Sequence, residues 1–196
     1  MKTAVDIPGI RNITISGRIG TGKTTLALKL GKVLGWKVLD GGKFFRKITK
    51  ELGKSIIHSN QRPDEIDLEY EEKIKKLLKE KKHYIVQSHL AGFDAQGIEG
   101  VFKILVICRD EHGDDKADIR IDRLMNRDRV GIEQAKYEIL EREKQNLAKF
   151  RRLYAKNDPN WVYWDEKYYD LIINTYSHNQ EEALQIALNG IGYKKS

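Results

Sequence analysis

Residues 17–25, Gly-Arg-Ile-Gly-Thr-Gly-Lys-Thr-Thr, constrain the fold of this chain more than any other stretch. They contain the pattern Gly-x-x-x-x-Gly-Lys-[Ser/Thr], in which glycines let the backbone turn its N–H groups towards a phosphate. The β-branched residues 13–15 before the pattern indicate a buried strand, and apolar residues after it recur at helical spacing. A strand, a glycine loop and a helix in this order predict a phosphate-binding loop (P-loop); the alternative is a glycine-rich turn before an ordinary helix. The helical apolar residues are Leu26, Leu30, Val33 and Leu34.

The residues of this loop have separate expected roles. Lys23 is expected to reach the β- and γ-phosphates of ATP, and the hydroxyl of Thr24 is expected to bind Mg²⁺. Backbone N–H groups of the neighbouring positions are expected to hold other phosphate oxygens. The predicted ATP-binding residues of the loop are Gly17, Arg18, Ile19, Gly20, Thr21, Gly22, Lys23, Thr24 and Thr25.

The composition is that of a globular protein that handles small anionic molecules. The net charge is +7, but Lys and Arg are scattered and interleaved with Glu and Asp, so a nucleic-acid partner is not expected. A site for several phosphates explains the positive excess locally. No apolar run is long enough for a bilayer, the first residues do not resemble a signal peptide, and one cysteine suits a reducing compartment. We therefore expect a cytoplasmic monomer that does not bind membranes.

Five short apolar segments alternate with stretches of helical periodicity along the chain. This alternation predicts an α/β fold with a parallel sheet and right-handed crossovers. Gly35 is expected to end the first helix and Asp40 to cap the second. The predicted strands are 11–16, 36–39, 83–87, 101–108 and 169–174, and the predicted helices end near 34, 53, 82, 128, 156 and 188.

Polar residues follow the predicted strands directly. Ligands of open parallel sheets bind at the carboxyl ends of the strands. In this chain those ends carry the P-loop, Asp40, residues 87–89, Arg109 and Asn174. We expect the functional site to be assembled from these positions.

The order of these signals resembles the cytidylate kinase family of nucleoside monophosphate kinases, in its archaeal form. Residues 39–46, Leu-Asp-Gly-Gly-Lys-Phe-Phe-Arg, look like the family's Leu-Asp-Ser-Gly-x-x-[Tyr/Phe]-Arg, and residues 169–175 match its Tyr-Asp-Leu-[Val/Ile]-Ile-Asn-Thr. His-Leu-Ala-Gly-Phe at 89–93 stands where archaeal-type members have Arg-Leu-Ala-Gly-Trp. The block 123–154 is similar to the arginine-rich lid and the helix that follows it.

The resemblance implies a three-layer P-loop NTPase fold with a five-stranded parallel sheet in the order 2-3-1-4-5. It implies a single kinase domain over 1–196, with an insert that binds the nucleoside monophosphate at about 41–82 and a lid at about 109–131. The implied reaction is ATP- and Mg²⁺-dependent phosphoryl transfer to a nucleoside monophosphate, with CMP or dCMP as the favoured acceptor. A different nucleotide or metabolite as acceptor, or a nucleotide-binding protein without transfer, remains an alternative.

The resemblance also implies catalytic roles for several cations. Arg46 would hold the acceptor phosphate, although it could be a solvated helix residue. Arg120, Arg123 and Arg127 fall on one helical face, where they bind phosphate or pair with neighbouring aspartates. Arg142 is either a lid contact or a surface ion pair. The predicted catalytic residues are Lys23, Arg46, Arg123, Arg127 and Arg142.

Three further side chains have two interpretations each. Asp40 could organise the waters of Mg²⁺, which makes Thr24 and Asp40 the predicted metal residues, or it could only cap a helix. Asn174 is expected to border the adenine of ATP. His89 could bind phosphate when protonated or could pack internally. The family's Glu-Gly-Arg at the end of the third strand is Gln-Ser-His at 87–89 in this chain.

Overall fold

A five-stranded parallel sheet forms the centre of the protein. The computed structural model describes residues 3–51 and 62–194, with the backbone alone at 46 and 49–51. The strands lie in the order β2-β3-β1-β4-β5 and all neighbouring pairs are parallel, which confirms the predicted α/β fold and strand order. The strands are β1 (Asn12–Gly17), β2 (Lys37–Asp40), β3 (Tyr84–Gln87), β4 (Val101–Ile107) and β5 (Leu171–Asn174).

Helices cover both faces of the sheet and produce the three expected layers. Successive strand side chains point to opposite faces, so Ile85 joins the apolar cluster under α1 and α8, whereas Val86 joins the cluster under α3 and α4. Over residues 3–51 and 62–194, no helix has both the length and the apolar composition that crossing a bilayer requires. The α-helices are α1 (Lys23–Leu34), α2 (Gly41–Glu51), α3 (Asp64–Glu80), α4 (Ala91–Asp94), α5 (Ala117–Asp128), α6 (Ile132–Lys136), α7 (Glu143–Tyr154) and α8 (Gln180–Gly190).

Strand β1 is the central strand and all six of its residues are buried. Its first residue, Asn12, would be costly to bury without partners. The side-chain amide of Asn12 donates to the carbonyl oxygens of Leu78 and Lys81, at 3.0 and 2.8 Å, and its Oδ1 accepts from the N–H of Tyr84 at 3.0 Å. This one side chain therefore joins the end of α3 to the start of β3.

Both predicted caps are present. Gly35 has φ 69° and its N–H donates to the carbonyl oxygen of Gly31, which ends α1. The Oδ1 of Asp40 accepts from the N–H of Lys43 at 3.1 Å, which caps the first turn of α2. The predicted end of this helix near residue 53 lies outside the described residues.

The long helix predicted over 132–156 is not one regular helix. The structure has α6, then a π-helical segment at Tyr137–Arg142, then α7. A π-helix inserts an extra residue per turn and rotates the side chains that follow it. Apolar periodicity cannot reveal this change. The predicted loop at 88–100 also contains the short helix α4.

Aromatic residues of the segment 161–169 pack against the protein interior. Tyr163 is 1% exposed and lies in a cluster with Leu90 and Phe150. Tyr169 does not belong to β5, although the sequence predicted a strand from that residue. Its hydroxyl instead donates to the backbone carbonyl oxygen of Tyr163, so the chain turns before β5 begins.

Candidate active site

The P-loop lies between β1 and α1 and approaches the helix α5 closely. Gly20 and Gly22 have φ values of 78° and 99°, which side chains rarely tolerate. A Cβ at Gly20 would lie 2.7 Å from the carbonyl oxygen of Arg120. The Oγ1 of Thr175 donates to the carbonyl oxygen of Thr21 at 2.9 Å, which fixes the loop from the side of β5. The glycines therefore serve both the turn and the contact with α5.

Lys23 is the first residue of α1 and is 8% exposed. Its Nζ donates to the carbonyl oxygen of Arg18, across the loop, at 2.9 Å. Burial lowers the pKa of Lys23 to about 7, an effect that Glu143 opposes and Arg127 adds to. A polyphosphate at this position would favour the charged form of Lys23. Binding of an anion by this loop would therefore be accompanied by uptake of a proton on Lys23.

A set of oxygen atoms surrounds Thr24 at the end of the sheet. The Nε2 of Gln87 donates to Thr24 Oγ1 at 3.0 Å, and Asp40 is the register partner of Gln87 in the β2–β3 pair. The Oε1 of Gln87 is buried and has no hydrogen-bond partner among the described residues. Mg²⁺ prefers hydroxyl, carboxylate and water oxygens, and its bound waters are donors. These three side chains fit a hydrated Mg²⁺ ion, and the orphaned Gln87 oxygen would accept from its water.

Two cavities open on opposite sides of Lys23. The first has a volume of about 530 Å³ and runs from the P-loop to the segment between β5 and α8. The second has a volume of about 580 Å³ and runs from the P-loop to α3 and the end of α4. The residues that line both cavities are Lys23, Thr24, Thr25, Leu124 and Arg127.

The predicted ATP-binding residues divide among these surfaces. Ile19 lines the second cavity, whereas the side chain of Arg18 ion-pairs with Glu143 and Asp115. Gly17 lines neither cavity, and its carbonyl oxygen lies 3.2 Å from His89 Nδ1. The loop residues that line the first cavity are Gly20, Thr21, Gly22, Lys23, Thr24 and Thr25.

The three arginines of α5 have three different environments. Arg120 is fully buried and donates to the carbonyl oxygen of Ile19, so it holds the loop. Arg123 lines the first cavity and donates to the hydroxyl and carbonyl oxygens of Thr175, at 2.8 and 2.7 Å. Arg127 is half-exposed where the two cavities meet and ion-pairs with Asp128. The predicted common phosphate-binding face is thus divided, and Arg127 has the most central position.

Arg142 and Arg46 belong to the second cavity's side of the protein. Arg142 ends the π-helical segment, lines the second cavity and ion-pairs with Glu138 one turn earlier. Arg46 lies on α2, and its side chain is outside the described part of the structure. Their phosphate-binding roles stay predictions.

Glu143 joins α5 to the P-loop, a role that was not predicted from the sequence. Its Oε2 accepts from the N–H of Ile19 and from Arg120 Nη1, each at 3.0 Å. Its Oε1 accepts from Arg18 Nε at 2.6 Å. Glu143 is the first residue after the π-helical segment, so the altered helix directs this carboxylate at the loop. Only its place in the Glu-Arg-Glu at 141–143 could have drawn attention to it.

Asn174 connects two strands at the edge of the site. Its Oδ1 accepts from the N–H of Arg109 at 3.1 Å, and its Nδ2 donates to the carbonyl oxygen of Arg109 at 2.7 Å. The next residue, Thr175, lines the first cavity, and so does His178. A direct contact between Asn174 and adenine stays a prediction, whereas its role in positioning this segment is visible.

His89 is partly buried beside Tyr163 and also lines the second cavity. Its Nδ1 lies 3.2 Å from the carbonyl oxygen of Gly17 and 3.1 Å from the hydroxyl of Tyr163. Burial lowers the pKa of His89 well below its ordinary value, and the charges of Lys23 and Arg142 add to this effect. A neutral imidazole in this position favours the packing interpretation over capture of phosphate.

Comparison with known proteins identifies the family. Residues 12–177 match the model of the "Cytidylate kinase-like family". The chain belongs to that family. Cytidylate kinases from Saccharolobus islandicus and Haloarcula marismortui are 30% and 29% identical to it. These alignments cover 90% and 91% of this chain and 88% of each relative. The predicted membership among nucleoside monophosphate kinases of the cytidylate kinase type is confirmed.

Solved structures confirm the fold without identifying a substrate. A gluconokinase from Sinorhizobium meliloti has a TM-score of 0.58 at 14% identity, and the similarity covers 96% of this chain and 94% of that one. A shikimate kinase from Bacteroides thetaiotaomicron has a TM-score of 0.54 at 15% identity, covering 91% and 97%. At these identities the likeness concerns the P-loop kinase fold alone.

Proposed function

We propose that this member of the cytidylate kinase-like family transfers the γ-phosphoryl group of Mg-ATP to a nucleoside monophosphate, with CMP or dCMP as the preferred acceptor. One observation carries the proposal: two cavities of similar size meet at Lys23, Thr24 and Arg127. A phosphoryl transfer needs donor and acceptor in line, with cations where the charge spreads. The cytidylate kinases among its relatives support the choice of acceptor.

ATP would occupy the first cavity. The P-loop N–H groups and the start of α1 would hold the β- and γ-phosphates, with Lys23 charged. Arg123, held by Thr175, would lie beside the nucleotide, and the segment at 175–180 would border its base. The donor side would therefore be held mainly by backbone groups and two fixed cations.

The acceptor would occupy the second cavity. Arg142 lines it directly, and Arg46 lies on the adjoining helix α2. Arginine binds two phosphate oxygens at once and so fixes direction as well as distance. Arg127, at the junction, would neutralise the phosphoryl group during transfer. The insert at 41–82 and the lid at 109–131 would close over both substrates and exclude water.

Thr24, Asp40 and Gln87 would hold the metal. When bound, Mg²⁺ screens the β- and γ-phosphate charge. The Thr24 hydroxyl would be a direct ligand, while Asp40 and the Oε1 of Gln87 would accept from metal-bound waters. Gln87 has no charge, so Asp40 would supply the negative charge of this set. A cytoplasmic location and a monomeric state also remain part of the proposal.

An acceptor panel tests this function. ADP release is measured with Mg-ATP and, in turn, CMP, dCMP, UMP, AMP and shikimate. We expect turnover with CMP or dCMP to exceed turnover with the others. Activity with a non-nucleotide alone would contradict the proposal, and ATP binding without acceptor-stimulated turnover would indicate a protein that has lost transfer.

A further inference from the structure

The part of the second cavity beside α3 and α4 contains two buried carboxyl groups from different helices. Glu71 on α3 is 4% exposed, and Asp94 at the end of α4 is 7% exposed. Both line the cavity. Neither is explained by phosphate chemistry, because a carboxylate repels phosphate.

A third buried carboxylate lining the same cavity, Asp67, has cationic partners for its charge. Asp67 is 2% exposed, and it pairs with both Arg62 and Lys149. The Nε of Arg62 donates to it at 3.1 Å and the Nζ of Lys149 at 2.6 Å. Asp67 therefore has a structural role: its ion pair with Lys149 connects the start of α3 to α7.

Asp94 differs from Asp67 because no donor among the described residues bonds to its carboxyl group. A buried polar group without a partner costs free energy, so its survival in a cavity points to a ligand. Burial raises the pKa of Asp94 well above its ordinary value, and Glu71 adds to that effect. The titratable groups that face Asp94 are Tyr70, Glu71, Glu72 and Lys75 on α3, Tyr154 on α7, and Tyr169 before β5.

Glu71 is only partly satisfied. Its Oε1 accepts from the hydroxyl of Tyr154 at 2.5 Å, which leaves Oε2 as a further acceptor. Burial raises the pKa of Glu71 to about 7, although the Tyr154 hydrogen bond opposes the shift. Lys75, the cation that acts on the pair, forms its own ion pair with Glu72. The pair therefore retains a proton near neutral pH and offers one donor among several acceptors.

The walls of this part of the cavity are aromatic. Phe45 and Phe150 both line the cavity, and the Phe45 ring lies 4.7 Å from that of Tyr70. Rings and carboxyl groups together suit a flat heterocycle with a polar edge. The phosphate of the same molecule would then lie towards Arg127 and Arg142.

We infer that Asp94 and Glu71 read the base of the acceptor nucleotide, and that they select an aminopyrimidine edge through the proton on Asp94. The inference rests on the proposed function. Protonated Asp94 would donate to the ring nitrogen of cytosine and accept from its amino group, and Glu71 would accept the second amino hydrogen. Uracil presents a carbonyl oxygen at that place, which would face carboxyl oxygens. The excess of acceptors thus discriminates between the two bases.

The test compares variants by kcat/KM for CMP and for UMP. Asp94→Ala removes the donor and should lower kcat/KM for CMP on the order of 100-fold, with UMP much less affected. Asp94→Asn keeps one donor and one acceptor, so it should retain CMP use to within about tenfold. The KM for ATP should stay unchanged in both variants, which also shows that they fold. Glu69→Gln, on the exposed side of α3 and paired with Lys73, is the matched control.

The pH dependence gives a second readout. In the wild type, the KM for CMP should rise as pH increases through the range in which the pair loses its proton. Asp94→Asn has no proton to lose at that position and should flatten this rise.

Two outcomes overturn the inference in different ways. An active wild type whose ratio of CMP to UMP use survives in Asp94→Ala, or whose pH profile survives in Asp94→Asn, overturns it alone. A wild type that phosphorylates no nucleoside monophosphate overturns the proposed function and this inference together.

Discussion

The two cavities are built in contrasting ways although they share Lys23 and Arg127. The first is formed largely by one continuous stretch, residues 20–26, and by segments 123–127 and 175–183. The second takes side chains from α2, α3, α4, α5, the π-helical segment and α7. Phosphate binding by a loop uses backbone N–H groups, which any suitable glycine pattern supplies locally. Recognition of an acceptor requires side chains that meet only after folding.

The charges of the two cavities differ as well. The first is lined by cations and amide groups, whereas the second adds six acidic residues to its arginines. A triphosphate needs only positive charge, but a nucleoside monophosphate has a phosphate at one end and a base at the other. Near the P-loop, Asp128 and Glu138 pair with Arg127 and Arg142, whereas Glu71 and Asp94 beside α3 form no ion pair with the described residues. The acidic residues are Asp40, Asp67, Glu71, Asp94, Asp128 and Glu138.

The largest expected effect comes from the residue where the cavities meet. Arg127→Ala should lower kcat on the order of a thousandfold, because a cation at the transferred phosphoryl group is lost. Arg127→Lys should recover only part of the loss, since lysine cannot bind two oxygens in a plane. Steady-state ADP release with CMP measures both. Arg129→Gln, an exposed neighbour, should leave kcat unchanged. An Arg127→Ala enzyme with nearly full kcat would contradict the role of Arg127 in phosphoryl transfer between the two cavities.

The next largest effect concerns the carboxylate that joins α5 to the P-loop. Glu143→Gln leaves Arg120 buried without its charge partner, which should cost about 3 kcal/mol of stability. For a chain of this length that corresponds to a fall in Tm of roughly 6–12 °C. Thermal unfolding followed by circular dichroism measures the change. Glu141→Gln, two residues earlier and exposed, is the matched control, and equal Tm values for the two variants would refute the structural role of Glu143.

A smaller effect tests the charge of the first cavity by itself. Because the pKa of Lys23 is lowered to about 7, the free protein carries a neutral Lys23 above that pH. Phosphate favours the charged form, so Mg-ATP binding should take up about half a proton at pH 7 and nearly one at pH 8.5. Affinity should therefore fall as pH rises above 7, by up to about tenfold per pH unit.

Calorimetry in buffers of different ionisation enthalpy measures this uptake. Lys23→Met should bind Mg-ATP more weakly and without the linked proton. Proton uptake that persists in Lys23→Met would assign the proton to another group. It would contradict the view that the charge of the first cavity depends on Lys23.

The smallest effect concerns the end of β3. Gln87→Glu places a carboxylate beside Thr24 and Asp40, where it should bind metal-associated waters more strongly than an amide does. We expect the Mg²⁺ concentration for half-maximal activity to fall by roughly threefold to tenfold. A magnesium titration of ADP release measures it, with Gln185→Glu on α8 as the distant control. A rise in the required Mg²⁺ concentration would show that Gln87 does not face the metal.

Much of the fold could be predicted because its signals are local. The β-branched run before the P-loop, the glycine pattern and the caps at Gly35 and Asp40 each depend on neighbouring residues. The π-helical segment could not be predicted, since its apolar residues satisfy an ordinary helix equally well. Glu143 was missed for the same reason, because a charged residue in a long polar helix looks solvated until the helix is placed against the loop.

The arginines of α5 show where periodicity stops being informative. Spacing places Arg120, Arg123 and Arg127 on one face, but each meets a different neighbour along the helix. Arg120 contacts the P-loop, Arg123 contacts Thr175, and Arg127 reaches the junction of the cavities. Similarly, His89 stands where the family has arginine, and only the tertiary structure shows the burial that lowers its pKa.

The sequence by itself determined the α/β fold, the position of the P-loop and the family, because each depends on residue types at short and regular spacings. Only the tertiary structure decided which cations reach the cavities, which cations are structural, and that the buried carboxyl group of Asp94 accepts no hydrogen bond from the described residues. The physical reason is that charge pairing and burial depend on distances between residues remote in the chain. Asp67 and Asp94 are both aspartates near aromatic residues, and only the arrival of Lys149 and Arg62 at one of them makes them different.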